Sequence, residues 1–292
     1  MVFIQQFLNG LQLGSLYALI ALGYSLVYGV LLLINFAHGD VFMLGAFIGV
    51  FGAFTLGLPF VPTLLVSMLL TGSIAVLIER VAYKPLRHAS RLSAVITALG
   101  VGLILENGML ALTGANPRSF PRGFVETSSY RLGTISIGTI EILIFALTAL
   151  LLTGLYLLVQ HTKWGMAMRA ISYDKFALPL MGVSPDRIIS LTFLLGGSLA
   201  AAGGILWGLA YPVLNPYMGL RVGWKAFIAA VVGGIGDIRG AVVGGLLLGF
   251  VEIFAAHFFA SSYRDLIAFA LLLIILVVRP TGIFGVARRQ KV

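Results

Sequence analysis

Across its first 78 residues this chain carries a single formal charge, Asp40. No Lys, Arg, Asp or Glu stands between Met1 and Ala37, and none between Val41 and Ile78. Water has to be excluded from runs this long, and a helix needs roughly 20 apolar residues to cross a bilayer's hydrocarbon core. The rest of the sequence continues in the same way, with 60% hydrophobic and 10% charged residues. Such a composition excludes an ordinary soluble domain. The apolar residues run continuously instead of alternating, so each span satisfies its own backbone as a helix, and a β-barrel is excluded.

The expected fold is therefore all-α: one polytopic membrane domain over residues 1–292 with about eight transmembrane helices. The spans are read at about 9–32, 40–58, 62–83, 92–113, 138–160, 188–211 and 264–278, with a Gly-broken stretch within 224–257 that is one bent helix or two. A secretory signal peptide opens on positive residues, whereas the first Lys or Arg here is Arg80, so none is expected. Cysteine is absent, which removes disulfides and thiolate metal sites.

The net charge of +9 does not point to nucleic acid, because the basic residues are scattered through short loops, where topology explains them. Counted loop by loop, 13 Lys and Arg fall on one side (80–91, 163–187, 239 and 279–291) and six on the other (Arg118, Arg122, Arg131, Arg221, Lys225 and Arg264). The positive-inside rule places the first set in the cytoplasm, which puts the C-terminus inside and the N-terminus outside. The longest outer loop, 114–133, has the Pro, Ser, Arg and Gly of a solvated connection.

Four stretches carry more than span information. In the first, Asn35, His38, Gly39 and Asp40 form a polar knot between apolar runs. A carboxylate so isolated is costly at membrane depth and is kept for function or satisfied by a partner. Gly39 is a candidate interruption that exposes backbone to a passing solute, as discontinuous helices do in transporters; alternatively, Asp40 caps the following helix. One His and one Asp are too few for a metal site. In the second, Gly233, Gly234, Gly236 and Asp237 mark a break that matches the first, and a dinucleotide fingerprint fails on spacing and context. Beyond it, Gly240 and Gly244, and Ala241, Gly245 and Gly249, recur every four residues and offer smooth faces for close helix packing. The third is the inner loop 160–187, whose mixture of Arg169, Asp174, Lys175, Phe176 and Leu178, ending at Gly182, suits short amphipathic helices at the membrane surface. It reads as a topological connector or as a docking surface for a cytoplasmic partner. The fourth, 196–204, is so rich in small residues that core packing is expected. Glu106, Glu141, Glu252 and His257 are secondary candidates for lining a path.

No Lys in the chain is followed by Ser or Thr, so a phosphate-cradling loop of the Gly-Lys-Ser/Thr kind is absent. Active transport would then need an engine elsewhere. No nucleophile–base pair or metal cluster suggests an enzyme, while a self-sufficient channel or ion-coupled carrier remains the rival transport reading.

The order Leu13-Gly14-Ser15-Leu16-Tyr17-Ala18-Leu19-Ile20-Ala21-Leu22-Gly23, then Ile34-Asn35-Phe36-Ala37-His38-Gly39-Asp40, resembles the LivH-type permeases of branched-chain amino acid ABC importers. Further matches are Ile78-Glu79-Arg80-Val81-Ala82-Tyr83-Lys84-Pro85-Leu86-Arg87, Gly182-Val183 with Asp186-Arg187, Asn215-Pro216-Tyr217, Lys225-Ala226-Phe227, Gly233-Gly234-Ile235-Gly236 and Arg279-Pro280-Thr281-Gly282. The likeness covers nearly the whole chain and is weakest in the outer loop.

This resemblance implies an importer subunit in a bacterial inner membrane that moves leucine, isoleucine or valine by alternating access. It implies a LivM-like second permease as hetero-dimer partner, a periplasmic binding protein, and two cytoplasmic ABC ATPases that hold ATP and Mg; this chain itself takes no cofactor. The segment 165–182 occupies the position of the family's ATPase-coupling segment, with Phe176 and Leu178 as the apolar residues to insert into an ATPase cleft. Urea, short amides and other amino acids are alternative cargoes within the same mechanism.

Overall fold

The computed structural model describes residues 2–87, 89–133, 135–174, 177–260 and 262–285. Among these residues the chain forms α1 (Val2–Leu31), α2 (His38–Phe54), α3 (Phe60–Ile78), α4 (Arg91–Thr113), α5 (Thr139–His161), α6 (Lys163–Ile171), α7 (Ala177–Leu180), α8 (Pro185–Ala210), α9 (Met218–Gly233), α10 (Ile238–Phe258) and α11 (Tyr263–Val278). Six helices are long and apolar enough to cross a membrane: α1, α3, α4, α5, α8 and α10. The 17-residue α2 is a shorter apolar helix. At 16 residues each, α9 and α11 are about 24 Å long. The all-α expectation holds, and α1 starts well before the expected residue 9.

Helix ends follow local chemistry. Ser90 caps α4 by accepting from the Ser93 amide, Thr162 caps α6 through the Gly165 amide, and Pro185 stands in the first turn of α8, where its missing N–H costs nothing. The α3 helix is prolonged by a π-helical turn, Glu79–Tyr83, and a 3₁₀ turn, Lys84–Leu86. The connection between α4 and α5 is more ordered than the sequence suggested: strands β1 (Ser129–Leu132) and β2 (Ile135–Gly138) pair antiparallel, Ser129 opposite Gly138.

The centre of the bundle is α1, buried continuously from Leu13 to Val27. It is surrounded by α8, α9 and α10, with α2 and α3 layered on α8. By contrast α4, α5 and α11 are peripheral and turn Leu103, Leu150 and Leu273 outward. The Gly-broken stretch proves to be two antiparallel helices, α9 and α10, which separate at Gly234 (φ 111°) and Gly236 (φ 95°). An L side chain is strained at both positions, so glycine is what lets the chain reverse there.

Small residues set the helix spacing. Gly249 lies directly on the Gly14 backbone, and a Cβ on Gly245 would come within 2.5 Å of the Ala18 amide nitrogen. The stripe read at 241, 245 and 249 is thus the face that α10 gives to α1, and Gly240 and Gly244 are the face it gives to α9. The 196–204 run packs as expected, Gly197 against Gly72 and Ala75 of α3, and Gly204 against Ala46 of α2. Gly249→Val should therefore lower stability by at least about 1–3 kcal/mol, since the obstacle is backbone. Gly108→Ala, on an outer face of α4 with nothing within 4 Å, should be neutral or stabilising. Thermal unfolding in detergent distinguishes them; equal melting temperatures would mean that α1 and α10 are not seated this closely.

Candidate functional site

The polar knot lies inside the bundle. After α1 ends, Leu32 adopts a left-handed φ of 56° and the chain folds back. The imidazole of His38 consequently packs against Gly23, eight residues before the end of α1 and about 12 Å inward along it. The turn is closed by the His38 amide donating to the Asn35 carbonyl at 3.1 Å, while the Asn35 side chain accepts from the buried Tyr83 hydroxyl at 2.6 Å. His38 meets Tyr24 edge-on at 4.7 Å between ring centroids, and Phe36, Trp224 and Phe227 continue the aromatic wall.

Gly39 does not interrupt a helix. It sits in the first turn of α2, where its missing side chain admits α9: a Cβ there would collide with the Gly219 carbonyl and come within 2.9 Å of Gly223 Cα. The interruption falls earlier, at 32–37. Asp40 does not cap α2 either, since the N-cap position of that helix is Ala37 and no side chain caps it. Its carboxylate is wedged between two other helices, one oxygen against Gly102 of α4 and the other 2.5 Å from a Cβ placed on Gly219 of α9. Glu106, one turn beyond Gly102, is a near neighbour of the same carboxylate. Both acids are 5% exposed, and Asp40 Oδ1 and Glu106 Oε1 have no hydrogen-bond partner among the described residues. A carboxylate pair, two helix starts and an aromatic wall thus converge at one depth, a combination able to hold a cation or an ammonium group beside an apolar moiety.

The second glycine cluster lies elsewhere. Gly233 is 10 residues along α9 from Gly223, roughly 15 Å at helical rise. There the Asp237 side chain caps α10 by accepting from the Gly240 amide at 2.8 Å. The last α9 carbonyls are covered by the segment after α11, with Ile283 N donating to Val232 O at 3.0 Å and Phe284 N to Gly233 O at 2.9 Å. Gly236 rests on Gly29 near the end of α1. The two candidate clusters are therefore joined by one helix but do not form one pocket.

Sequence reading missed a polar network among α1, α9, α10 and α11. Lys225, counted as an outer-loop cation, lies within α9 with its side chain only 13% exposed. Its ammonium pairs with Glu252 of α10 at 3.0 Å and Asp265 of α11 at 2.8 Å, and the Tyr17 hydroxyl of α1 donates to the same Glu252 at 3.2 Å. Four helices are tied together by one ammonium, two carboxylates and one hydroxyl. The only sequence signal was the isolation of Glu252 in an apolar run.

In the 160–187 segment, α6 is amphipathic as expected. Met168 and Ile171 are buried, Arg169 donates to the Val159 carbonyl, and Trp164 and Met166 face outward. Lys175 and Phe176 lie outside the described residues, and Asp174 precedes them just beyond α6. Leu178 points the other way from expectation: it is 3% exposed and anchors α7 to the core. The residues presented outward are Leu180, at 90%, and Met181, at 77%. Gly182, at φ 75°, then turns the chain, its amide donating to Pro179 O at 3.0 Å and the Val183 amide to Leu178 O at 3.1 Å.

Residues 6–276 match the family model described as the branched-chain amino acid transport system / permease component. The chain belongs to this permease family. It is 44% identical to the high-affinity branched-chain amino acid transport system permease protein BraD of Pseudomonas aeruginosa, over 99% of this chain and 98% of that one. It is 40% identical to the corresponding LivH protein of Escherichia coli K12, with the same coverage. Among solved structures, PsaBC from Streptococcus pneumoniae in complex with Fab superposes with a TM-score of 0.50 at 16% identity, over 96% of this chain and 93% of that one, a likeness of fold alone.

Several of the permease's family-like motifs acquire physical roles from the geometry. The Glu79–Arg87 stretch ties itself to α8, since Arg87 pairs with both Glu79 and Asp186. The Arg279–Gly282 stretch leads into the segment that covers the end of α9. Tyr24, Tyr83, Gly102, Gly219 and Gly223, all at the knot, were missed because each is an unremarkable residue of its own helix.

Proposed function

We propose that this permease carries leucine, isoleucine and valine across a bacterial inner membrane as one subunit of an ATP-driven importer. The observation that supports this reading is its end-to-end likeness to BraD and LivH, whose names describe high-affinity branched-chain amino acid transport. In this reading a LivM-like permease completes the path, a periplasmic binding protein delivers the amino acid, and two cytoplasmic ATPases bind ATP and Mg, so that no cofactor resides on this chain. The N-terminus faces the periplasm. The 80–91, 160–187 and 234–239 connections, together with the C-terminus, face the cytoplasm, in keeping with their excess of Lys and Arg.

The knot around Asp40 is the path element. Its carboxylates suit the ammonium of a zwitterion, and Phe36, Trp224 and Phe227 suit a branched aliphatic side chain. Closure of the ATPases on ATP opens the path outward, and hydrolysis returns it. The test is uptake of radiolabelled leucine into proteoliposomes containing this chain, the partner permease, both ATPases and the binding protein. Uptake should require internal or external ATP on the ATPase side and cease without the binding protein. Leucine uptake by this chain alone under an ion gradient would overturn the proposal.

A further inference from the structure

At the end of the bundle where α3 runs into its π turn, a recess of about 350 Å³ opens between that turn and the start of α8, lined by Glu79, Arg80, Lys84, Asp186, Arg187 and Ser190. Its two carboxylates are already committed. Arg87 bridges Glu79 and Asp186, Lys84 holds the second Asp186 oxygen at 2.6 Å, and the Ser190 hydroxyl donates to Glu79 at 2.9 Å. Glu79 is fully buried, so this buttress fixes the floor of the recess and leaves its carboxylates little freedom to turn outward. Arg80 and Arg187, from two different helical segments, are both exposed on the rim, and among the described residues no carboxylate lies within ion-pair distance of either. Four cations, counting Lys84 and Arg87, thus face two carboxylates.

Surplus guanidinium groups converging on one recess select an oxyanion, because each planar fork can give two parallel hydrogen bonds to phosphate oxygens. The surroundings select its source. Leu77 and Val81, on either side of Arg80, are 59% and 69% exposed on the outer, apolar face of the bundle. An occupant here needs an anionic head at the helix ends and an apolar body running along the helices. We propose that Arg80 and Arg187 clamp the phosphodiester of an anionic glycerophospholipid, with Leu77 and Val81 against its acyl chains. Basic pockets between helix ends on the cytoplasmic side are suited to this. The site is independent of the transported cargo.

The test uses the full chain in phosphatidylcholine bilayers with trace spin-labelled phosphatidylglycerol, and measures the immobilised fraction against that of spin-labelled phosphatidylcholine. Wild type should favour phosphatidylglycerol about tenfold at a saturable site, and Arg80→Gln/Arg187→Gln should reduce the preference to that of ordinary boundary lipid. Arg80→Lys/Arg187→Lys, which keeps the charge and is the safeguard if the Gln pair folds poorly, should retain only part of it. Arg118→Gln, at the other end of the bundle, should leave it intact. Persistence of the preference in a folded Gln pair would sink the proposal. Displacement of the labelled lipid by millimolar inorganic phosphate would overturn the lipid assignment in favour of a free-phosphate site. Loss of ATPase subunits from the Gln pair in pure phosphatidylcholine, with lipid preference unchanged, would overturn it in favour of a protein seat.

Discussion

Changing Leu180 and Met181 together to Asp should cut ATP-driven leucine uptake at least about tenfold while the chain stays folded in the membrane. Both side chains stand outward at the tip of α7, and neither supports the bundle. Covering two such side chains with a partner is worth about 3–5 kcal/mol, and aspartate at each replaces that gain with the cost of burying a charge. A loss of that size corresponds to more than a hundredfold in affinity for a partner seated there. Leu178→Asp is the informative contrast. Leu178 is inside, so its replacement should unseat α7 and lower the melting temperature. Uptake and ATPase co-purification, measured beside thermal stability, separate the two effects. Normal uptake by the Leu180/Met181 variant would mean that no ATPase seats on this tip and would redirect attention to Trp164 and Met166 on α6.

Lys225→Met should be among the most destabilising single changes in the bundle, at about 3–5 kcal/mol. The Lys225 side chain is 13% exposed and that of Glu252 only 3%, so removing the ammonium leaves a carboxylate at depth with only the Tyr17 hydroxyl to hold it. The same principle predicts recovery: adding Glu252→Gln to Lys225→Met should restore much of the loss, because no uncompensated charge then remains. Asp265→Asn should cost far less, since that carboxylate is 64% exposed and water replaces its partner. The check is a double-mutant cycle on thermal or denaturant stability in detergent. Strict additivity of Lys225→Met and Glu252→Gln would mean that the two groups do not act as a pair.

The parts of this architecture that were legible beforehand are those written locally. Continuous apolar runs of span length mean helices, whatever surrounds them, and the four-residue recurrence at 241, 245 and 249 means a smooth helical face. Gly234 and Gly236 mark a break, but the sequence fits one bent helix or two there, and only the structure makes it a reversal between α9 and α10 at positive φ, where glycine is needed. Amphipathicity placed α6 at the surface. The candidate site was legible only in part. Asn35, His38 and Asp40 stood out because polar groups are conspicuous in apolar sequence, but the neighbours of Asp40 on α4 and α9 could not be read from it. Gly39 was read as a break when it is a point of contact, and Gly233–Asp237 as a twin site when its carbonyls are covered by residues 283 and 284.

The sequence alone determined that this chain is a helical membrane permease and which faces are smooth enough to touch, because hydropathy and helical period act over a few residues. Only the tertiary structure decided that the 241–249 face meets α1, that Asp40 lodges between Gly102 and Gly219, that Lys225 is inside, and that Leu180 instead of Leu178 looks outward. Each depends on a neighbour far away in the chain, as Tyr17 is from Glu252, 235 residues apart. A side chain's own sequence context fixes what it costs to bury it, whereas the group that offsets the cost is set by which helices the fold brings together.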